Sequence, residues 1–208
     1  MTGTVALQGG GAFTANDEMD QQLLASVGAT RVVVLPTADA FEHPERLVVA
    51  AVAWGERIGV EVEPLMVLRR ADASVSATAQ TLRAATAIYL VGDQPLHLRS
   101  VLKDTPAWEA ILDVHRGGGV IVGCAGSAAA LCDPMVDPRG GAFTIGLGLV
   151  NDLAVVTQSE TWSHDRLHRT MALANTAVAT LPTGSALVRT NHIWQQIGAV
   201  EMHGDLPG

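Results

Sequence analysis

Residues 117–131 read GGGVIVGCAGSAAAL, a glycine turn and a β-branched run that end on Cys124 among glycine, alanine and serine. A thiol is the most nucleophilic of the common side chains, and here almost every neighbour has been cut to a methyl group or less. That crowding of small residues suits a sharp strand-to-helix turn, because bulk on either side would collide with the adjoining strand or helix. A thiol raised on such a turn would stand beside the free N–H groups of a helix N-terminus, which favour thiolate and lower its pKa. The competing reading is a small hydrophobe buried at a strand end, the ordinary place of a free cysteine. Cys132 lacks any such setting and reads as a core residue at a helix end.

A nucleophile of this kind has to be held at the carboxyl edge of an α/β sheet, and the chain supplies one. TVALQ (4–8), RVVVLP (31–36), GVEVEPL (59–65), AIYLV (87–91) and GVIVGC (119–124) predict buried strands. Helical spacing fills 17–27, 43–57, 76–85 and 94–115, the last divided at Pro106, with Asp17 a candidate cap for the first. This strict alternation implies a mostly parallel sheet covered on both faces, a three-layer α/β sandwich. Beyond residue 131 the pattern changes. DPMVDPRGG (133–141) is a turn region, AFTIGLGLV and LAVVTQ read as strands, and 164–178 as a helix. SALVRT and WQQIGAVEM predict a closing hairpin turning near Asn191 and His192. No linker or repeat divides the chain, which is expected to be one domain spanning 1–208.

Composition narrows the partners. The formal charge of −8 argues against nucleic acid and against an anionic membrane surface, since both select for clustered Lys and Arg. Charged residues are only 16% and apolar ones 48%, so a packed core is expected and disorder is not. Two cysteines make no disulfide framework, the start MTGTVALQGGGAF lacks the pattern of a signal peptide, and no run is long enough to span a bilayer. A cytoplasmic, reduced protein is the expectation. No cofactor or metal is expected: GGG is not G-x-G-x-x-G, and neither H-E-x-x-H nor C-x-x-C occurs. Trp108, Trp162 and Trp194 serve equally well as core residues or as the anchor of a homodimer.

Six stretches in order resemble a known family. LQGGGAF (7–13), VVVLPTADA (32–40), AIYLVGDQPLHLRSVL (87–102), GGGVIVGCAGSAAAL, GLGLV (146–150) and TGSALVR (183–189) are together similar to the S51 peptidases, the group of dipeptidase E and cyanophycinase. The resemblance implies a class I glutamine amidotransferase-like (flavodoxin-like) fold and cleavage of short peptide or isopeptide amides by an elbow serine in Gly-x-Ser-Ala-Gly. Three registers compete for that position. Matching Ser-Ala-Gly to Cys-Ala-Gly selects Cys124, whereas counting without a gap from the glycine turn selects Ala125 and a dead enzyme. A shifted elbow selects Ser127.

The resemblance further implies a histidine about forty residues on, in or just past the strand that follows GLGLV. The family's Asp-x-His-Phe motif is missing immediately after that strand, and His164 is the better candidate, with His168 the next. It implies an orienting carboxylate, for which Asp137 comes closest and Asp133 follows. Oxyanion donors would be the N–H of Ala125, after the nucleophile, and that of Gly92 in the GDQ signature with Asp93 and Gln94. Gly10 in the first glycine turn would admit substrate, and Arg99 with His97 could recognise its carboxylate.

Three functions therefore stay open. The first is a hydrolase of a small peptide or other small-molecule amide, with Cys124 as nucleophile and His164 as base. The second is a non-catalytic protein of the same fold that binds a small acidic ligand or peptide. The third is a cysteine redox sensor or aldehyde-handling protein, in which an elbow thiol meets oxidants.

Overall fold

A computed structural model describes residues 2–208. The five β-branched runs form β1 (Thr4–Gln8), β2 (Arg31–Leu35), β3 (Glu61–Pro64), β4 (Ala87–Val91) and β5 (Val120–Cys124). Between them lie α1 (Asp17–Ser26), α2 (Pro44–Ile58), α3 (Arg70–Ala73), α4 (Ser76–Arg83), α5 (Pro95–Leu102) and α6 (Pro106–Arg116). α7 (Gly126–Leu131) follows β5 directly. The remainder holds β6 (Leu153–Thr157), α8 (His164–Leu173), β7 (Ala177–Leu181), β8 (Ala186–Thr190), β9 (Ile193–Ile197) and β10 (Glu201–His203).

Seven strands make the central sheet in the order β9-β8-β1-β5-β4-β2-β3, all running the same way except β8, which is antiparallel to both its neighbours, β1 and β9. Strand alternation sends Val5, Leu7, Val33, Ile88, Leu90 and Ile121 to one face, under Leu82 of α4, Leu98 of α5 and Ile111 of α6. Ala6, Val34, Tyr89, Val120, Val122 and Cys124 go to the other, against Met19 and Leu24 of α1 and Trp54 of α2. The result is the expected flavodoxin-like α/β fold. A small second sheet, β6-β7-β10, packs Ala154, Val156 and Val178 beneath Trp162 and Leu167.

Local chemistry explains the divisions. α6 begins where Pro106 takes the first helical position and Thr105 Oγ1 accepts the Trp108 N–H at 3.3 Å. Asn191 and His192 both hold positive φ, 49° and 67°, and turn β8 into β9.

Four expectations need correction. β3 is a half-exposed edge rather than a buried strand, blunted by Glu61, Glu63 and Pro64. Asp17 is not a cap: Asn16 holds that place, and the Asp17 carboxylate receives the Arg57 guanidinium at 2.5 and 2.8 Å. The helix predicted over 164–178 stops at Leu173, because the β-branched AVATL pairs in parallel with β6. AFTIGLGLV makes only two-residue pairings, and its Gly146 crosses so close to Cys132 that a Cβ there would lie 1.7 Å from the Cys132 carbonyl oxygen. No described helix is long and apolar enough to cross a membrane.

Candidate active site

β5 ends between β1 and β4, with Cys124 opposite Gln8 on one side and Val91 on the other. Cys124 is still a strand residue and obeys the alternation of Val120 and Val122, so its side chain enters the α1/α2 layer. It is 0% exposed. Burial pushes the thiol pKa up, helped by the carboxylates of Asp20 and Asp93 and opposed by the nearby amides of Ala12 and Ala125. The chain reverses one residue later. Ala125 takes φ 58° and ψ −131°, a backbone region that a residue with a Cβ enters only under constraint from its surroundings.

The surrounding glycines supply that constraint. A Cβ on Gly123 would come within 2.9 Å of Ala128 Cα, and one on Gly126 within 2.6 Å of the Asp93 backbone. α7 can therefore seat against the ends of β5 and β4 only if both positions stay bare. The small neighbours do permit an elbow, but the residue at its apex is Ala125. An exposed Cys124 sulfur is not what the fold produces.

Beneath the elbow lies a buried polar network that the sequence did not announce. Asp20 Oδ1 accepts Gln8 Nε2 at 2.7 Å and the Tyr89 hydroxyl at 3.0 Å, and the Trp54 indole N–H faces the same carboxylate without reaching hydrogen-bond geometry. Asn16 Nδ2 donates to Gln8 Oε1 and to the carbonyls of Gly10 and Gly11. The glycine turn is thus tied to α1, and the Gln8 carbonyl in turn accepts the Ala125 N–H at 3.0 Å.

The expected partners do not gather around Cys124. His164 is the first residue of α8, 93% exposed, with its nearest charge on Asp165 at 3.9 Å. His168, one turn on, stacks against it at 6.4 Å between ring centroids. Asp137 spends its carboxylate on Arg139, whose guanidinium holds it below the usual carboxylate range. Asp133 accepts the Gly146 N–H at 3.2 Å. Ser127 is fully buried and donates both N–H and hydroxyl to the Gly92 carbonyl, at 3.0 and 3.4 Å. The Ala125 N–H, bonded to Gln8, is no free oxyanion donor.

His97 bonds the Leu68 carbonyl and packs edge-on against Phe41, while Arg99 Nε is buried without a partner. Trp108 belongs to the core. Trp162 carries the Arg166 guanidinium 3.5 Å above its ring, and Trp194 donates to the Pro207 carbonyl.

What does converge is a different set. Asp93 N–H donates to Asp39 Oδ1 at 2.8 Å, and Gln94 N–H to the Ala38 carbonyl. Burial raises both carboxylates, with Glu42 adding to the effect at Asp39 and the Asp39 charge adding to it at Asp93. The Asp93 N–H lowers Asp39 in part, while Gln158, which donates to Asp93 Oδ1 at 3.3 Å, and the Gly126 amide draw Asp93 back down. Gln158 follows β6 directly, at positive φ, where the resemblance called for the base. Gly10 lies bare against it: a Cβ there would meet Gln158 Cγ at 2.9 Å and Thr183 Oγ1 at 3.1 Å. Glu160 closes the rim through the Thr183 hydroxyl at 2.5 Å.

Asp93, Gly126, Val136, Thr157, Gln158 and Trp162 enclose a cavity of about 50 Å³, room for a few waters or one small terminal group. A much larger groove, about 750 Å³, lies at the opposite end of the sheet around Thr4, Thr86 and Gly117–Gly119. It shares no residue with the elbow. Neither Asp39 nor Gln158 is a nucleophile or an imidazole base, so residue type alone does not single them out in the sequence. The absence of Asp-x-His-Phe at the end of β6 is the sequence feature that coincides with Gln158.

Comparison with known proteins agrees with this fold. The model of peptidase family S51 matches residues 4–197. A peptidase from an acI-B1 actinobacterium superposes with a TM-score of 0.86 at 25% identity, covering 98% of this chain and 90% of that one. A putative peptidase E protein from Listeria monocytogenes gives 0.70 at 18% identity, with 98% of each chain covered. No curated protein matches.

Proposed function

The chain belongs to peptidase family S51, a family of peptidase-type hydrolases, and from that premise we propose that it is a ligand-binding member. It takes one end of a short peptide or small amide at the elbow without forming an acyl-enzyme there. One observation carries this reading: Ala125, and not Cys124, occupies the positive-φ apex, while the thiol points into the core. An alanine methyl cannot attack a carbonyl, and no imidazole borders the elbow cavity. The charge of the site also bears on the ligand. Asp39 and Asp93 are raised by burial beside each other, so a cationic amine relieves them and a carboxylate does not. The N-terminal end of a peptide suits this mouth better than the acidic ligand expected from the sequence.

Hydrolysis through Cys124 is the second reading, favoured by the family match itself, and it requires the sulfur to leave the α1/α2 layer. Buried placement weighs in the same way against a redox sensor. Calorimetry with a panel of dipeptides, free and N-acetylated, tests the proposal alongside a turnover assay. Free-amine dipeptides should bind and acetylation should weaken them by about tenfold, one lost charge contact in a half-buried site. Wild-type protein and A125S should both leave the peptides intact, since neither has a base to activate the elbow. Turnover that Cys124→Ala abolishes would overturn the proposal in favour of the second reading.

A further inference from the structure

The outer face of α2 carries residues that nothing in the chain accounts for. Val49 is 70% exposed and Val52 41%, and Arg46, Ala53 and Glu56 are exposed beside them. Arg46, Val49, Ala53 and Glu56 follow one another at spacings of three, four and three residues, the spacing of a helix–helix seam. The charges on this face divide clearly. Glu45 pairs with His43, and Arg57, on the flank, holds Asp17. Arg46 and Glu56 have no ion-pair partner among the described residues.

The seam is self-complementary about position 51. Arg46 and Glu56 stand five residues to either side, and Val49 and Ala53 two. We propose that a second copy of this chain docks here, α2 against α2, antiparallel about a two-fold axis at residue 51. That arrangement sets Arg46 of each copy against Glu56 of the other, twice by symmetry, at points about 15 Å apart along the helix. Each Val49 faces the other copy's Ala53, so a branched side chain meets a methyl group and the helices can close. A parallel arrangement would face Arg46 with Arg46 and is excluded by repulsion. The surface of one helix crossing is below the roughly 1,000 Å² of a stable interface, so the dimer belongs to the weak, concentration-dependent class.

Sedimentation equilibrium on the full chain, from micromolar to millimolar concentration, reads the association directly. The wild type should shift from monomer to dimer across that range. R46E and E56R should each weaken association by about tenfold or more, because each replaces two attractive pairs with two repulsive ones. The double variant R46E/E56R should recover wild-type association, which general damage to the fold would not do. V49D should be monomeric at every concentration, with a melting temperature near that of the wild type because Val49 faces solvent. A wild type that stays monomeric throughout, or a double variant no better than the singles, overturns the proposal.

Discussion

Native protein mixed with an excess of an aryl disulfide reagent should keep both thiols unlabelled for at least ~10³ times longer than the same chain in denaturant, because labelling then waits for an opening reaction that costs several kcal/mol. Cys124 and Cys132 are both 0% exposed and lie on opposite faces of the sheet, so no single loop movement uncovers the two together. Raising the pH should do little before the fold itself yields. Burial holds each thiol well above its usual range, and at Cys124 the carboxylates of Asp20 and Asp93 add to that effect. A nucleophilic elbow cysteine behaves in the opposite way, labelling faster than a free thiol near neutral pH through its enriched thiolate. Stoichiometric release of one chromophore from native protein, lost in C124A, would return Cys124 to the role its neighbours first suggested.

That contrast marks where the sequence is informative. The β-branched runs and their spacing dictate β1, β2, β4 and β5 and the helices between them, because burial on both faces of a sheet leaves few other choices of residue; β3, at the edge, escapes that constraint. The position of the apex within GCAGS depends on a single residue of register. Composition cannot set it, since every candidate stands among equally small neighbours. The deciding quantities are backbone ones. Cys124 completes the β1–β5–β4 ladder opposite Gln8 and Val91, so the first residue free to reverse is Ala125, and Gly126 must stay bare beneath Asp93. Counting from the glycine turn does select Ala125; it is the appeal of a thiol at an elbow that selects its neighbour. His164 and Asp137 fail for a related reason. Sequence distance from the nucleophile says nothing of which side a loop faces, and here one side chain is in solvent and the other is closed on Arg139.

The Asp20 network gives the largest predicted effect on stability. Asp20 is 1% exposed, and burial raises its pKa to about 6 against the bonds from Gln8 and Tyr89 that favour its charged form. A folded-state value above that of the unfolded chain means the folded protein binds the extra proton. The stability from this group is full below about pH 4 and is lost as the pH rises through about 6. A rise of that size for one carboxyl group corresponds to roughly 2–3 kcal/mol. Asp20→Asn removes the buried charge but keeps an oxygen for Gln8 and Tyr89. It should therefore be the more stable protein near pH 8, with the difference closing by about pH 4.

Asp17, Asp137 and Glu160, whose values are lowered, lose stability in acid in both proteins alike, so the difference between the two unfolding curves isolates Asp20. Asp20→Ala should be less stable than Asp20→Asn by about 2–4 kcal/mol at every pH, since it strands two buried donors. An Asp20→Asn protein that is weaker at pH 8, by a margin that shrinks in acid, would mean that the carboxylate is wanted in its charged form. The glycine turn beside the elbow would then be held by an anion, and the layer beneath Cys124 would be electrostatically tense by design and not by tolerance.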